Sequence, residues 1–132
     1  MDSPSFPNDM RTLSDFQDFH RWLDERNHFN QDILLNMVML SGEIGEVAQV
    51  LKQIHWMSSS ERMEQREAVT PEEALAAHRE HLGEELADCL AYVFKLANYT
   101  GVDLQEAYRK KMARNMQRTW KYAGEDDTTP TK

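Results

Sequence analysis

A chain of 132 residues is long enough for one domain with its own core, and its single cysteine, Cys89, excludes an internal disulfide framework. The formal net charge of -8 excludes nucleic-acid binding through a broad basic surface, yet it admits phosphorylated small molecules if divalent cations stand between the like charges. No basic-then-apolar leader opens the sequence, and no apolar run reaches the roughly 20 residues of a membrane span. The expectation is a soluble, cytoplasmic protein without a membrane or nucleic-acid partner.

Prolines at 4, 7, 71 and 130 leave two long proline-free stretches, neither with a strand-like alternation, so the chain reads as all-α. Residues 1–11 read as a flexible tail. A first helix is predicted from Ser14, with Gln17 completing a capping box, to about Arg26, carrying Phe16, Phe19 and Leu23 on one side. A second spans about Gln31 to Met57, with Ile33, Leu34, Met37, Leu40, Ile44, Val47, Leu51 and Ile54 at helical spacing. The charged segment 58–70 is an exposed connection or a flap.

The third helix has the clearest start, with Thr70 as cap, Pro71 at the first helical position and Glu73 closing the box. It should run to about Tyr99 and stop at Gly101. Asp103 with Glu106 opens a fourth helix to about Lys121, and residues 122–132 form a second tail. The result is a helical domain over 12–121, a four-helix bundle.

Two segments interrupt the apolar faces. In LSGEIGEVAQVL, Glu43 and Glu46 lie three apart beside the core stripe of the second helix; in GEELADCLAY, Glu85 and Asp88 do the same on the third, with Tyr92 a turn further on. Helices packed at the usual 8–10 Å would bring the four carboxylates into one cluster. Two like charges about 4 Å apart repel by roughly 4 kcal/mol at an effective dielectric of 20, so protons or cations must neutralise such a group. Oxygen-only ligation suits Mg²⁺ or Mn²⁺ better than zinc. Gly42, Gly45 and Gly83 each precede an acidic residue of the motifs, where a missing side chain gives close helix approach or room for a ligand. Either acidic pair alone would be an ordinary solvated helix face; the pairing of two, each bordering an apolar stripe, is the stronger signal.

These residues resemble the MazG-like, all-α nucleoside triphosphate pyrophosphohydrolases, a family that includes deoxycytidine triphosphate pyrophosphatases. The likeness covers about residues 31–120. It rests on the E-x-x-E of GEIGE, the E-x-x-D of EELAD, Tyr92, the GVDL turn at 101–104, and K-M-x-x-N-x-x-R at Lys111, Met112, Asn115 and Arg118. The resemblance implies hydrolysis between the α and β phosphates of a (deoxy)nucleoside triphosphate, in a nucleotide-pool role, with Glu43, Glu46, Glu85 and Asp88 holding Mg²⁺. It also implies that Glu46 helps activate water, that Tyr92, Lys111, Asn115 and Arg118 contact substrate, and that the chain forms a homodimer or homotetramer. Candidates for the base pocket are Phe16, Phe19, Trp22, His28 and Phe29. Rival readings are a non-catalytic acidic bundle and a phosphoribosyl-ATP pyrophosphohydrolase. A dinuclear carboxylate bundle would need a second Glu-x-x-His beside Glu25 and His28, and a solvated or capping role suits His78 and His81 better than zinc.

Overall fold

The computed structural model describes residues 7–59 and 69–119, over which the chain forms four helices and no strand. The fold is all-α, as the patterning predicts. The expected tails over most of 1–11 and all of 122–132, and most of the connection 58–70, lie outside the described residues.

Helix α1 spans Leu13–Asn27, and its cap differs from expectation. Thr12, not Ser14, is the N-cap: its hydroxyl accepts from Asp15 N at 3.1 Å, and Asp15 Oδ2 accepts from Thr12 N at 2.9 Å. Two cap patterns overlap here, and the one with an acidic residue also complements the positive end of the helix dipole. Backbone hydrogen bonds from Arg11 and Thr12 hold the Asp15 carboxyl below its ordinary range. Gln17 is released for another task. It is 2% exposed, donates to Asn98 Oδ1 (3.0 Å) and Val102 O (2.9 Å), and accepts from Leu104 N (3.0 Å), tying α1 to the far end of the fold.

Helix α2 spans Ile33–Met57 and begins at Asp32, which accepts from Leu35 N at 2.7 Å. Helix α3 spans Pro71–Thr100 with the predicted Thr70–Glu73 capping box and Gly101 as its left-handed stop, φ 71°. Thr70→Ala should cost about 1 kcal/mol in a denaturant titration, because it strands an N-terminal amide of the longest helix. An unchanged midpoint would mean that the cap contributes nothing net.

Helix α4 spans Leu104–Met116, capped by Asp103, and ends before the predicted Lys121. Its last turn tightens into Gln117 N–Arg114 O and Arg118 N–Asn115 O bonds, both 3.1 Å, and Arg118 Nη1 donates to Asn115 Oδ1 at 3.3 Å. No glycine or proline marks this stop, so periodicity overshoots it.

The α2–α3 pair is the main packing of the fold; α1 lies on α3, and α4 on α1. Phe94 anchors the core at 2% exposure, its ring stacked on Phe16 (5.5 Å between centroids) and on His20 (5.7 Å). Of the predicted α2 stripe, Leu40 is buried and Val47 and Ile54 are half-buried. Ile33, Leu34, Met37, Ile44 and Leu51 are exposed, Leu34 by 78%. The described residues therefore leave much of this apolar face uncovered.

Two expectations are corrected here. A Cβ added at Gly42, Gly45 or Gly83 would meet nothing within 4 Å, so these glycines serve no close helix approach among the described residues. And α2 is, by length and composition, apolar enough to cross a membrane. Against a lipid-exposed placement stand Glu43 and Glu46 midway along it, since a charge at a bilayer centre costs roughly 2.5–3.5 kcal/mol or more.

Candidate active site

Glu43 of α2 meets Glu85 and Asp88 of α3, with one carboxylate oxygen from each lying within 4.8 Å of the others. The α2–α3 packing accounts for this. Glu85 and Asp88 fall three apart on one face of α3, and Glu43 stands opposite on α2. The sequence pattern predicts four members, yet Glu46 lies outside this group and is exposed. The same three-residue step separates Glu85 from Asp88, so spacing does not set the two pairs apart; the packing of α2 on α3 brings Glu43, and not Glu46, to the group.

The group is electrostatically unsatisfied. Desolvation first, then the charges of Asp88 and Glu85, a hydrogen bond with Glu85 and the charge of Glu46 push the Glu43 carboxyl above its ordinary range. Every charge acting on it is negative. The Cys89 thiol beside it is pushed up as well, by desolvation and by the carboxylates of Glu43, Asp88 and Glu85. Three converging oxygen donors with surplus negative charge fit a hard divalent cation. His81 Nε2 donates to Glu85 Oε1 at 3.1 Å and so helps fix one donor, the kind of outer support metal ligands usually have. His78 instead bonds the backbone at Ala74 O, 3.0 Å.

A pH dependence follows with a definite sign. Without metal, folded Glu43 binds a proton at pH values where the unfolded chain has lost it, so stability falls as pH rises from Glu43's ordinary 4.5 through its raised value. A cation that binds only the folded chain reverses this loss, contributing about 2.7 kcal/mol at a hundredfold excess over its Kd. Thermal melts should therefore show Mg²⁺ or Mn²⁺ raising Tm over a chelator control by more at about pH 8 than at about pH 5. An equal effect at both would contradict a carboxylate-bound cation.

A cavity of about 370 Å³ adjoins the group and takes Asp88 and Tyr92 into its wall, with His20 and Leu23 from α1, Asn36 and Met39 from α2, and Lys95 from α3. Its size is in the range of small-molecule sites. Asn36 is fixed by giving both amide protons to backbone carbonyls, Asn30 O (2.8 Å) and Asp32 O (2.7 Å), which leaves its Oδ1 as the acceptor for an occupant. His20 is held below its ordinary pKa chiefly by burial, and so is neutral. A larger groove of about 710 Å³ on the outer side of α1 holds none of the three carboxylates, so the chemistry favours the smaller cavity.

The predicted substrate residues separate. Tyr92 lines the cavity. Lys111 is exposed on α4, a helix that packs chiefly on α1 and away from the carboxylates of α2 and α3. Arg118 lies beyond the end of α4, joined to half-buried Asn115. Of the aromatic candidates, Phe29 reaches the cavity, Phe16 is core packing, Phe19 and Trp22 line the larger groove, and His28 is an exposed left-handed cap, φ 53°. Sequence reasoning missed His20, Asn36, His81 and Lys95. For Lys95 a signal existed, since it follows Asp88 by two helical turns on the same face; His20 and Asn36 arrive from other helices and carried none.

An all-α fold whose two main helices bring Glu43 of the E-x-x-E and both carboxylates of the E-x-x-D together beside a small-molecule cavity defines a class, and the MazG nucleotide pyrophosphohydrolase domain model matches residues 31–121. The chain belongs to that family. It is also similar to mouse dCTP pyrophosphatase 1, with 35% identity over 115 residues that cover 87% of this chain. The match spans 59% of that relative's length.

Proposed function

We propose that the chain hydrolyses a (deoxy)nucleoside triphosphate between its α and β phosphates, giving a monophosphate and pyrophosphate, with Mg²⁺ (or Mn²⁺) as cofactor. The observation that carries this reading is the convergence of Glu43, Glu85 and Asp88 beside a cavity of about 370 Å³ whose wall includes Asp88. When bound, the cation supplies charge neutralisation at the phosphates and a water of lowered pKa. Glu43, Glu85 and Asp88 hold it, and His81 keeps Glu85 in place. Glu46, exposed at the rim, is assigned to orienting or deprotonating the attacking water, a task that needs solvent contact. Tyr92 and Phe29 pack against the base and sugar in the cavity wall; Lys111, Asn115 and Arg118, on or just beyond a helix that packs away from the carboxylates, have no phosphate contact within one chain.

A homodimer or homotetramer belongs to this reading, with domain 12–121 as its unit. The exposed apolar residues of α2 and α3, Leu34, Ile44, Leu51, Leu86 and Leu90 among them, form a face of the kind a second copy covers. The open space at Gly42, Gly45 and Gly83 allows another backbone to approach there. A cytoplasmic nucleotide-pool enzyme, cleansing non-standard or surplus triphosphates, is the role we assign.

The test is incubation with a panel of ribo- and deoxyribonucleoside triphosphates and Mg²⁺, with products identified by chromatography. Monophosphate plus pyrophosphate is expected. Diphosphate plus orthophosphate would contradict the bond assigned, and turnover of phosphoribosyl-ATP alone would move the chain to that specialised reaction. An absence of turnover and of any cation-induced shift in Tm would leave a non-catalytic acidic bundle.

A further inference from the structure

The cavity holds a cation that the hydrolysis reading does not use. Lys95 is 13% exposed at its side chain and stands 3.3 Å from Oδ1 of Asp24, which is 3% exposed. The two are not aligned for a hydrogen bond, and Asp24 Oδ1 has no other partner among the described residues. Tyr99 donates its hydroxyl to the other oxygen, Oδ2, so Asp24 is anchored from a second side. The ammonium lies over the rings of Phe29 (4.5 Å) and Tyr92 (5.4 Å), both of which line the cavity with it. Burying an ammonium is costly even beside a carboxylate, and no hydrogen bond among the described residues satisfies its three protons. Apart from this ion pair and the two ring contacts, its donors have no hydrogen-bond acceptor among the described residues, and they stand on the cavity wall.

The position along α3 decides which part of a nucleotide they meet. Lys95 follows Asp88 by seven residues, about 10 Å at 1.5 Å per residue. Phosphates held at the Asp88 end leave the base, not the phosphates, at Lys95. An ammonium is a donor only, so its natural partner on a base is a ring carbonyl oxygen. Cytosine, uracil, thymine and guanine carry one; adenine does not. We infer that Lys95, positioned by Asp24 and Tyr99, is a specificity residue that favours nucleotides whose base bears a ring carbonyl over adenine, whose acceptors are ring nitrogens only. This rests on the hydrolysis reading for its substrate class, although the geometry of Lys95 stands apart from the carboxylate group.

The experiment measures kcat and KM of the full chain with Mg²⁺ for dATP, dCTP, dGTP and dTTP. It compares the wild type with Lys95→Met, which keeps the apolar stem, and with Asp24→Asn/Lys95→Met, which leaves no buried carboxylate unpaired. The wild type should favour at least one carbonyl-bearing substrate over dATP, and both variants should shrink that kcat/KM ratio at least about tenfold, chiefly through KM of the carbonyl-bearing substrate. A ratio unchanged in both variants, an equal loss on all four substrates, or a wild type that prefers dATP overturns the inference. If the wild type hydrolyses none of them, the hydrolysis reading fails separately. Calorimetric binding of the same four nucleotides then decides: selection present in the wild type and lost in the variants supports Lys95 as the reader, and no selective binding overturns it.

Discussion

Asp88→Asn is expected to lower turnover by about 10²- to 10³-fold while leaving helical content unchanged, the loss usually seen when one preorganised charge is removed from a polar site. Asp88 is shared between the two halves of the site. Its carboxylate belongs to the oxygen group with Glu43 and Glu85, and its side chain also enters the wall of the cavity. Asparagine preserves the shape and one oxygen but removes the charge, so cation affinity should fall with turnover. Folding should not suffer, because Asp88 is exposed and its charge pushes Glu43's carboxyl upward, a repulsion the variant relieves. The metal-free variant should even melt slightly above the metal-free wild type.

Glu46→Gln separates the roles of the acidic residues. Glu46 stands outside the three-oxygen group and exerts the last of the charge effects on Glu43. If it serves the water and not the cation, kcat falls while the Mg²⁺ concentration for half-maximal rate stays put. Wild-type rates for Asp88→Asn at saturating Mg²⁺ would sink the carboxylate group as the reaction centre.

What the sequence made legible was whatever is decided within a few residues. Thr70, Pro71 and Glu73 specify the start of α3, and Gly101 its end, because capping and left-handed stops are local matters. The E-x-x-D of α3 predicted two of the three gathered carboxylates for the same reason. Where the sequence misled, a longer-range cause decided. Gln17 looked like a cap partner, yet its amide is satisfied by Asn98, 81 residues away in sequence. The α2 stripe looked like core, but among the described residues too few helices cover it, and periodicity carries no information about how many partners a face will find. The cavity drew His20, Asn36 and Lys95 from three helices, a meeting that only packing could arrange.

The second large effect concerns the support beneath that cavity. Phe94→Ala should destabilise the fold by about 3–5 kcal/mol, the usual cost of truncating a fully buried aromatic. Phe94 is 2% exposed, and its ring is stacked on Phe16 and on His20 of α1, so the substitution opens a void at the α1–α3 contact. Stacking contributes about 0.5–1.5 kcal/mol per aromatic pair beyond burial, and both neighbours lose it. For a domain whose total stability lies in the usual 5–15 kcal/mol range, the variant approaches marginality. Phe94→Leu, which fills more of the volume, should cost about 1.5 kcal/mol or somewhat more. Urea titrations followed by far-ultraviolet circular dichroism, at one protein concentration so that any association is held constant, measure both. A function-linked consequence distinguishes this site from an ordinary core position. His20 rests on Phe94 and also lines the cavity, so in Phe94→Ala at a temperature where the chain is still folded, KM should rise more than kcat falls. A cost below about 1 kcal/mol, or a variant with unaltered KM, would show that α1 is held in place by Gln17 and not by this aromatic stack.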